Sequence, residues 1–271
     1  MSEILYRERV RVRRDERGVA YVTLARPDKY NAIDLDMLHA LTEAAKALRK
    51  DRTLRAVIFS GEGKSFCAGL DFGKVLKTPA GILRAFIPGL RATNVFQRAC
   101  WAYRELPVPV INVSHGHCFG GGMQMALAAD FRFTTPDCQL SVLEVKWGLI
   151  PDMSGSMGLR NQVGLDMAKL LTMTGRVLSG NDAKAIGLVT EVADDPMAAA
   201  EALVDELLVR SPDALAGAKQ LFATAWQSSE EVAFSAERRI QARILMAPNQ
   251  RRALKAATNK ETPQFLPRRL R

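Results

Sequence analysis

The order of the apolar patterns most constrains what this chain can fold into. Up to about residue 190, short runs rich in β-branched and aromatic residues alternate with stretches of helical period; from Met197 onward only the helical period remains. The strand-like runs are Val19–Leu24, 54–60, 108–113 and 131–135, each bounded by glycine, proline or charge. Between the first two, Leu38, Leu41, Ala45 and Leu48 recur at three- and four-residue steps behind Asp34, a side chain suited to capping a helix N-terminus. A second helix carries Phe96, Tyr103 and Leu106 and leads into the third strand, and a third spans 121–129. Such a repeating order predicts an α/β sheet architecture. Beyond it the pattern predicts helices over 200–208, 214–225 and 232–245, with Pro212 and Pro248 as breaks. The chain thus divides into a core, residues 1–195, and a helical region, residues 196–271. In the latter, Phe222, Trp226, Phe234 and Ile240 can cap the core or pack on another subunit.

At 271 residues, 48% of them hydrophobic, the chain has ample material for a packed core. The opening segment mixes acids and bases where a secretory signal needs an apolar run. Charges interrupt every apolar stretch short of the roughly 20 residues that cross a bilayer. Cys67, Cys100, Cys118 and Cys138 show neither CxxC spacing nor a companion histidine at ligand distance. That argues against a zinc site or disulfide framework and for reduced thiols in a cytoplasm. A net charge of +9 suits nucleic acid, an anionic membrane surface or a phosphate-rich ligand. Much of it lies in Arg7, Arg9, Arg11, Arg13 and Arg14 and in a basic tail that includes Arg251, Arg252, Arg268 and Arg269. The early arginines alternate with Val10 and Val12, the pattern of a strand with one solvated face. The tail comes with no RNA-recognition motif or aromatic stacking cluster, which disfavours nucleic acid as a partner.

Two glycine-bearing loops carry the chemical signal. After the second strand, Ser60-Gly61-Glu62-Gly63-Lys64-Ser65-Phe66-Cys67-Ala68-Gly69-Leu70-Asp71 offers small residues that let a ligand approach backbone N–H groups, a candidate oxyanion nest. Gly63-Lys64-Ser65 has only the tail of a phosphate-binding P-loop motif. The second loop, His117-Cys118-Phe119-Gly120-Gly121-Gly122-Met123-Gln124, opens a helix, where unpaired N–H donors and the helix dipole favour negative charge.

Four segments then fall in a telling order: Arg26-Pro27-Asp28-Lys29-Tyr30-Asn31-Ala32, Lys64 to Asp71, Phe119-Gly120-Gly121-Gly122, and Gly148-Leu149-Ile150-Pro151. Together with Thr174-Gly175-Arg176 and residues 183–189, they resemble the signature of the enoyl-CoA hydratase/isomerase (crotonase) family over roughly residues 10–265. The resemblance implies a crotonase-type spiral of ββα units followed by a C-terminal helical trimerisation region, with trimers often paired into hexamers. It implies an acyl-CoA substrate, with coenzyme A entering as part of that substrate and no separate cofactor or metal. By position in the motifs, the backbone N–H groups of Leu70 and Gly121 would be the oxyanion donors. Coenzyme A would lie bent, its adenine near the Ala68 carbonyl and near Lys29 and Tyr30, with Asp71, Phe72, Gly120, Gln124 and Trp147 also facing the substrate.

The reacting acid or base follows from the same alignment of motifs. Hydratases of the family place glutamates at two positions that here hold Gln124 and Glu144. A glutamine can orient water but cannot gain or lose a proton near neutral pH, so simple hydration is demoted. Asp152 matches a second acid of dienoyl-CoA isomerases and the nucleophilic aspartate of aryl-CoA dehalogenases. Glu144 with Asp152 across the substrate suits double-bond isomerisation. The alternatives are a 2-enoyl-CoA hydratase using Glu144 with Gln124 orienting water, an acyl-CoA hydrolase or dehalogenase through Asp152, and an RNA-binding homologue. His39, His115 and His117 are read as structural, because no Ser-His-Asp set surrounds them.

Overall fold

The computed structural model describes residues 3–75, 79–88 and 92–270. Its strands are β1 (Glu3–Tyr6), β2 (Val10–Arg14), β3 (Val19–Leu24), β4 (Ala56–Gly61), β5 (Val110–Ser114), β6 (His117–Phe119), β7 (Phe131–Thr134), β8 (Gln139–Ser141) and β9 (Glu191–Val192). The helices of the core are α1 (Leu35–Lys50), α2 (Phe72–Val75), α3 (Pro79–Phe86), α4 (Val95–Arg104), α5 (Gly121–Leu127), α6 (Gly155–Arg160), α7 (Leu165–Thr174) and α8 (Gly180–Ala185). Then come α9 (Pro196–Leu208), α10 (Pro212–Ala225), α11 (Glu230–Leu245) and α12 (Pro248–Asn259). No helix among the described residues is long and apolar enough to cross a membrane.

A seven-stranded sheet runs in the order β1-β2-β3-β4-β5-β7-β9. Its β1, β2 and β3 are antiparallel, and β3, β4, β5, β7 and β9 are parallel. Both faces are covered. In β4, Val57 and Phe59 enter the main core with α1, α4 and α5, whereas Ala56 and Ile58 enter a smaller cluster with Ala200 and Val204 of α9. A strand buried on both faces must be apolar where both are covered, as Ala56, Val57, Ile58 and Phe59 are in sequence. β2 behaves as its alternation predicts: Val10 and Val12 are buried while Arg11 and Arg13 are partly exposed.

A smaller parallel sheet of β6 and β8 stands apart, and Cys67 pairs with Cys118 at its edge. Short pieces like these have too few residues to show a period, so sequence did not reveal them. Helix α1 is capped as expected: the Asp34 carboxylate accepts from Met37 N–H at 2.8 Å, and Leu38, Leu41, Ala45 and Leu48 are buried. Pro212 and Pro248 each sit in the first turn of a helix, where a missing N–H is harmless. Pro248 thus opens α12, a helix that sequence did not distinguish because its apolar positions are mostly alanine.

Candidate active site

The loop that leaves β4 is stapled from below by a buried asparagine. Asn31 Oδ1 accepts from Arg26 N–H at 2.9 Å, and Asn31 Nδ2 donates to the carbonyls of Glu62 and Ser65, both at 2.9 Å. Beyond Ser65 the chain runs extended between two neighbours. Cys67 N–H donates to the His117 carbonyl at 2.8 Å, and Ala68 N–H to the Tyr30 carbonyl at 2.9 Å. Gly69 then turns with a φ of +96°, a conformation that side chains resist. Its carbonyl accepts from Ile33 N–H at 2.8 Å. In a trans peptide C=O and N–H point in opposite directions, so Leu70 N–H is aimed away from Ile33. Among the described residues it has no backbone acceptor.

The second loop repeats the device. Gly120 adopts φ +52°, ψ −118° as N-cap of α5, and its carbonyl accepts from Gln124 N–H at 3.0 Å. The Gly121 amide therefore points out of the helix N-terminus, again without a backbone acceptor. The two loops touch: a β-carbon on Gly120 would lie 4.0 Å from Gly69 Cα and 3.3 Å from Glu144 Oε1. Gly120 is thus glycine because its backbone conformation resists a side chain and a β-carbon would crowd the Glu144 carboxylate.

Glu144 begins a short 3-10 turn after β8, which is held against the glycine loop by Gly120 N–H donating to Ser141 O at 3.0 Å. Glu144 Oε1 accepts from Gln124 Nε2 at 2.6 Å, while its Oε2 is buried without a partner among the described residues. Gln124 is itself 1% exposed, and its Oε1 accepts from Met153 N–H at 2.7 Å and Gly155 N–H at 2.9 Å. Burial pushes the Glu144 carboxyl above the usual carboxylate range, and the nearby charge of Asp152 adds to the rise. Burial raises Asp152 as well. The thiol of Cys100, on α4, is held protonated chiefly by burial, with the charges of Asp152 and Glu144 adding to the rise. Asp152 is not a helix cap, since the N-cap of α6 is Ser154.

The remaining predicted residues form the surroundings. Phe72 and Trp147, which follow Leu70 and Glu144, meet with ring centroids 4.8 Å apart. Lys29, Tyr30 and Ala68 share an exposed rim, joined by the bond from Ala68 N–H to Tyr30 O. Asp71 gives its carboxylate to Arg26 at 2.8 Å and caps Lys74 N–H at 3.1 Å. His115 and His117 bond to Gly63 O and Ser65 Oγ, respectively, both at 2.9 Å. Sequence reasoning gave Asn31 no role of its own and missed the amides of Met153 and Gly155. None of these carries a chemical signature outside its spatial setting.

Two amides aimed from neighbouring glycine loops stand beside the Glu144 carboxylate on a crotonase-type α/β frame. The chain belongs to the enoyl-CoA hydratase/isomerase family, whose profile matches residues 14–268. It is 32% identical to methylglutaconyl-CoA hydratase of Mus musculus over 197 residues, which are 71% of this chain but only 61% of the mouse protein. It is also 32% identical over 221 residues to Delta(3,5)-Delta(2,4)-dienoyl-CoA isomerase of Rattus norvegicus, covering 78% of this chain and 68% of that one. Among solved structures, an enoyl-CoA hydratase of Mycobacterium smegmatis superposes with a TM-score of 0.83 at 29% identity, covering 94% of this chain and 98% of its own.

Proposed function

We propose that this chain isomerises carbon–carbon double bonds of enoyl- or dienoyl-CoA thioesters through an enolate held by the amides of Leu70 and Gly121. The observation that carries the reading is a pair of half-buried carboxyls, Glu144 with one oxygen unpaired among the described residues and Asp152 near it, with a carboxamide where a third acid would stand. Glu144 Oε2 takes a proton from the carbon flanking the double bond. The C–H electron pair moves into the conjugated system and the thioester oxygen gains charge between the two N–H donors. In the reacting form Asp152 carries the proton and Glu144 does not; Asp152 gives that proton to the remote carbon, and solvent exchange resets both groups. No electrons leave the substrate, so the cycle needs no redox cofactor. Loss of one such amide donor costs about 2.7–4 kcal/mol of transition-state stabilisation.

In this reading Lys29, Tyr30 and Ala68 receive the adenine end of coenzyme A, and Phe72 and Trp147 wall the acyl group. Residues 1–195 hold the site and 196–271 serve oligomerisation. The exposure of Met246, Trp226 and Leu254 in that region, at 74%, 67% and 61%, supports a homotrimer or a dimer of trimers. Hydration is the second reading, supported by the names of the mouse and mycobacterial relatives. It would leave Glu144 to serve alone, because both acceptor positions of the Gln124 oxygen are taken.

The test is a product-resolved screen of 2-enoyl-, 3-enoyl- and 3,5-dienoyl-CoA esters, which separates added water from a moved double bond. Glu144→Gln is expected to lower kcat by about 10²–10⁴-fold while binding of the CoA ester persists. Turnover retained in that variant would refute the assignment.

A further inference from the structure

We propose that Gln124 is the positioning residue of this site, a buried carboxamide that fixes Glu144 and the Asp152 turn relative to one another and leaves a single carboxylate oxygen to act as base. The inference deepens the isomerase reading and rests on it. Three bonds fix the side chain: Oε1 accepts from the N–H groups of Met153 and Gly155 at 2.7 and 2.9 Å, and Nε2 donates to Glu144 Oε1 at 2.6 Å. A carboxamide oxygen has two lone pairs, and both are occupied. Gln124 therefore has no acceptor left for a proton of water, which the hydration reading would ask of it.

The orientation of the amide is equally fixed. Flipped, its NH2 would face two backbone donors and its oxygen would face the Glu144 carboxylate. Both contacts are repulsive, so the two N–H groups dictate that the NH2 points at Glu144. Position 155 is shaped around this side chain, because a β-carbon there would lie 2.6 Å from Gln124 Oε1 and 2.8 Å from its Cγ.

One group thus reaches both acids, Glu144 by a direct bond and Asp152 through the amide of the next residue, Met153. Donation to Glu144 favours its charged form and opposes the rise that burial and Asp152 impose. A glutamate at 124 would instead set two carboxylates in contact at that distance, and they would hold one proton between them. The choice of carboxamide over carboxylate keeps Glu144 a lone base with Oε2 free.

The experiment compares Gln124→Met, of similar length without the bonds, and Gln124→Glu with the full wild-type chain. Two readouts are taken: the pH profile of kcat/KM on the ester that the wild type turns over, and an infrared difference titration of the Glu144 carboxyl, identified by its loss in Glu144→Gln. In Gln124→Met, kcat should fall by about 10–100-fold with KM held within about threefold. The acid limb and the infrared titration should both move up by about one pH unit, and further in Gln124→Glu. An unmoved limb and titration, whatever happens to kcat, would reduce Gln124 to packing and overturn the proposal. Should the wild type process none of the esters, the isomerase reading fails by itself, and the infrared shift alone still decides the positioning role. If Gln124→Met melts too low to assay, Gly155→Ala crowds the same carboxamide from outside and is read by the same criteria.

Discussion

Glu144 sits where its charge is least welcome, and that has a consequence for stability. Its pKa is raised in the fold, so the folded chain binds this proton more tightly than the unfolded chain does. The stabilising contribution of a raised carboxyl is fully present below the unfolded value, near pH 4, and is lost as pH rises through the folded one. At pH 7 the fold therefore carries the penalty of a buried charge. Glu144→Gln removes that charge and keeps an acceptor for Gln124 Nε2, so its melting temperature should exceed that of the wild type at pH 7 and match it at pH 4. Equal melting temperatures at both values would mean that Glu144 is not penalised by burial. The two glycine loops and the glutamate beside them were legible in sequence because their segments follow one another in a pattern. The restraint on Glu144 was not, since Gln124 bonds to backbone amides 29 and 31 residues away and any residue type supplies an N–H.

Helix α1 shows what a single element contributes. Asp34 caps its N-terminus while its carboxylate also pairs with Arg9 at 3.0 Å and Lys74 at 2.7 Å. Burial would raise this carboxyl, but those bonds more than offset it and bring its pKa down to about 2. A depressed carboxyl stabilises the fold above its unfolded pKa, near 4, and the benefit fades as pH falls towards about 2. Asp34→Ala should cost about 2–4 kcal/mol in urea denaturation at pH 7 and measurably less at pH 3. A loss of equal size at both pH values would assign Asp34 a role in packing alone. The cap and the buried stripe of α1 were readable because both lie within one helix, as were the apolar parallel strands. Strand limits moved by one or two residues, because a strand ends where its partner's ladder ends, which is a property of the pair.

Across the whole molecule, the early arginines find their partners within the chain. Arg7 pairs with Glu43, Arg9 with Asp34, Arg11 with Glu3 and Glu62, and Arg14 with Asp51. Arg268, in the basic tail, is 2% exposed and donates to the carbonyls of Leu270 and Asp51. The tail thereby returns from the helical region to the end of α1, where Arg268 N–H donates to Arg52 O at 2.9 Å. At the centre of this junction is Asp213, fully buried in α10. Its carboxylate accepts from Arg269 N–H at 2.6 Å, Leu270 N–H at 2.8 Å and Asn249 Nδ2 at 2.8 Å. Asp213→Ala strands three donors, two of them buried, and should destabilise the chain by about 2–5 kcal/mol. Asp213→Asn keeps an acceptor oxygen and should lose less. Trypsin should cut after Arg268 and Arg269 early in the alanine variant and late in the wild type. If the denaturation midpoint and the cleavage rate both stay at wild-type values, the tail is not held by Asp213, and the link between the helical region and the core must lie in the packing of α9 on the sheet.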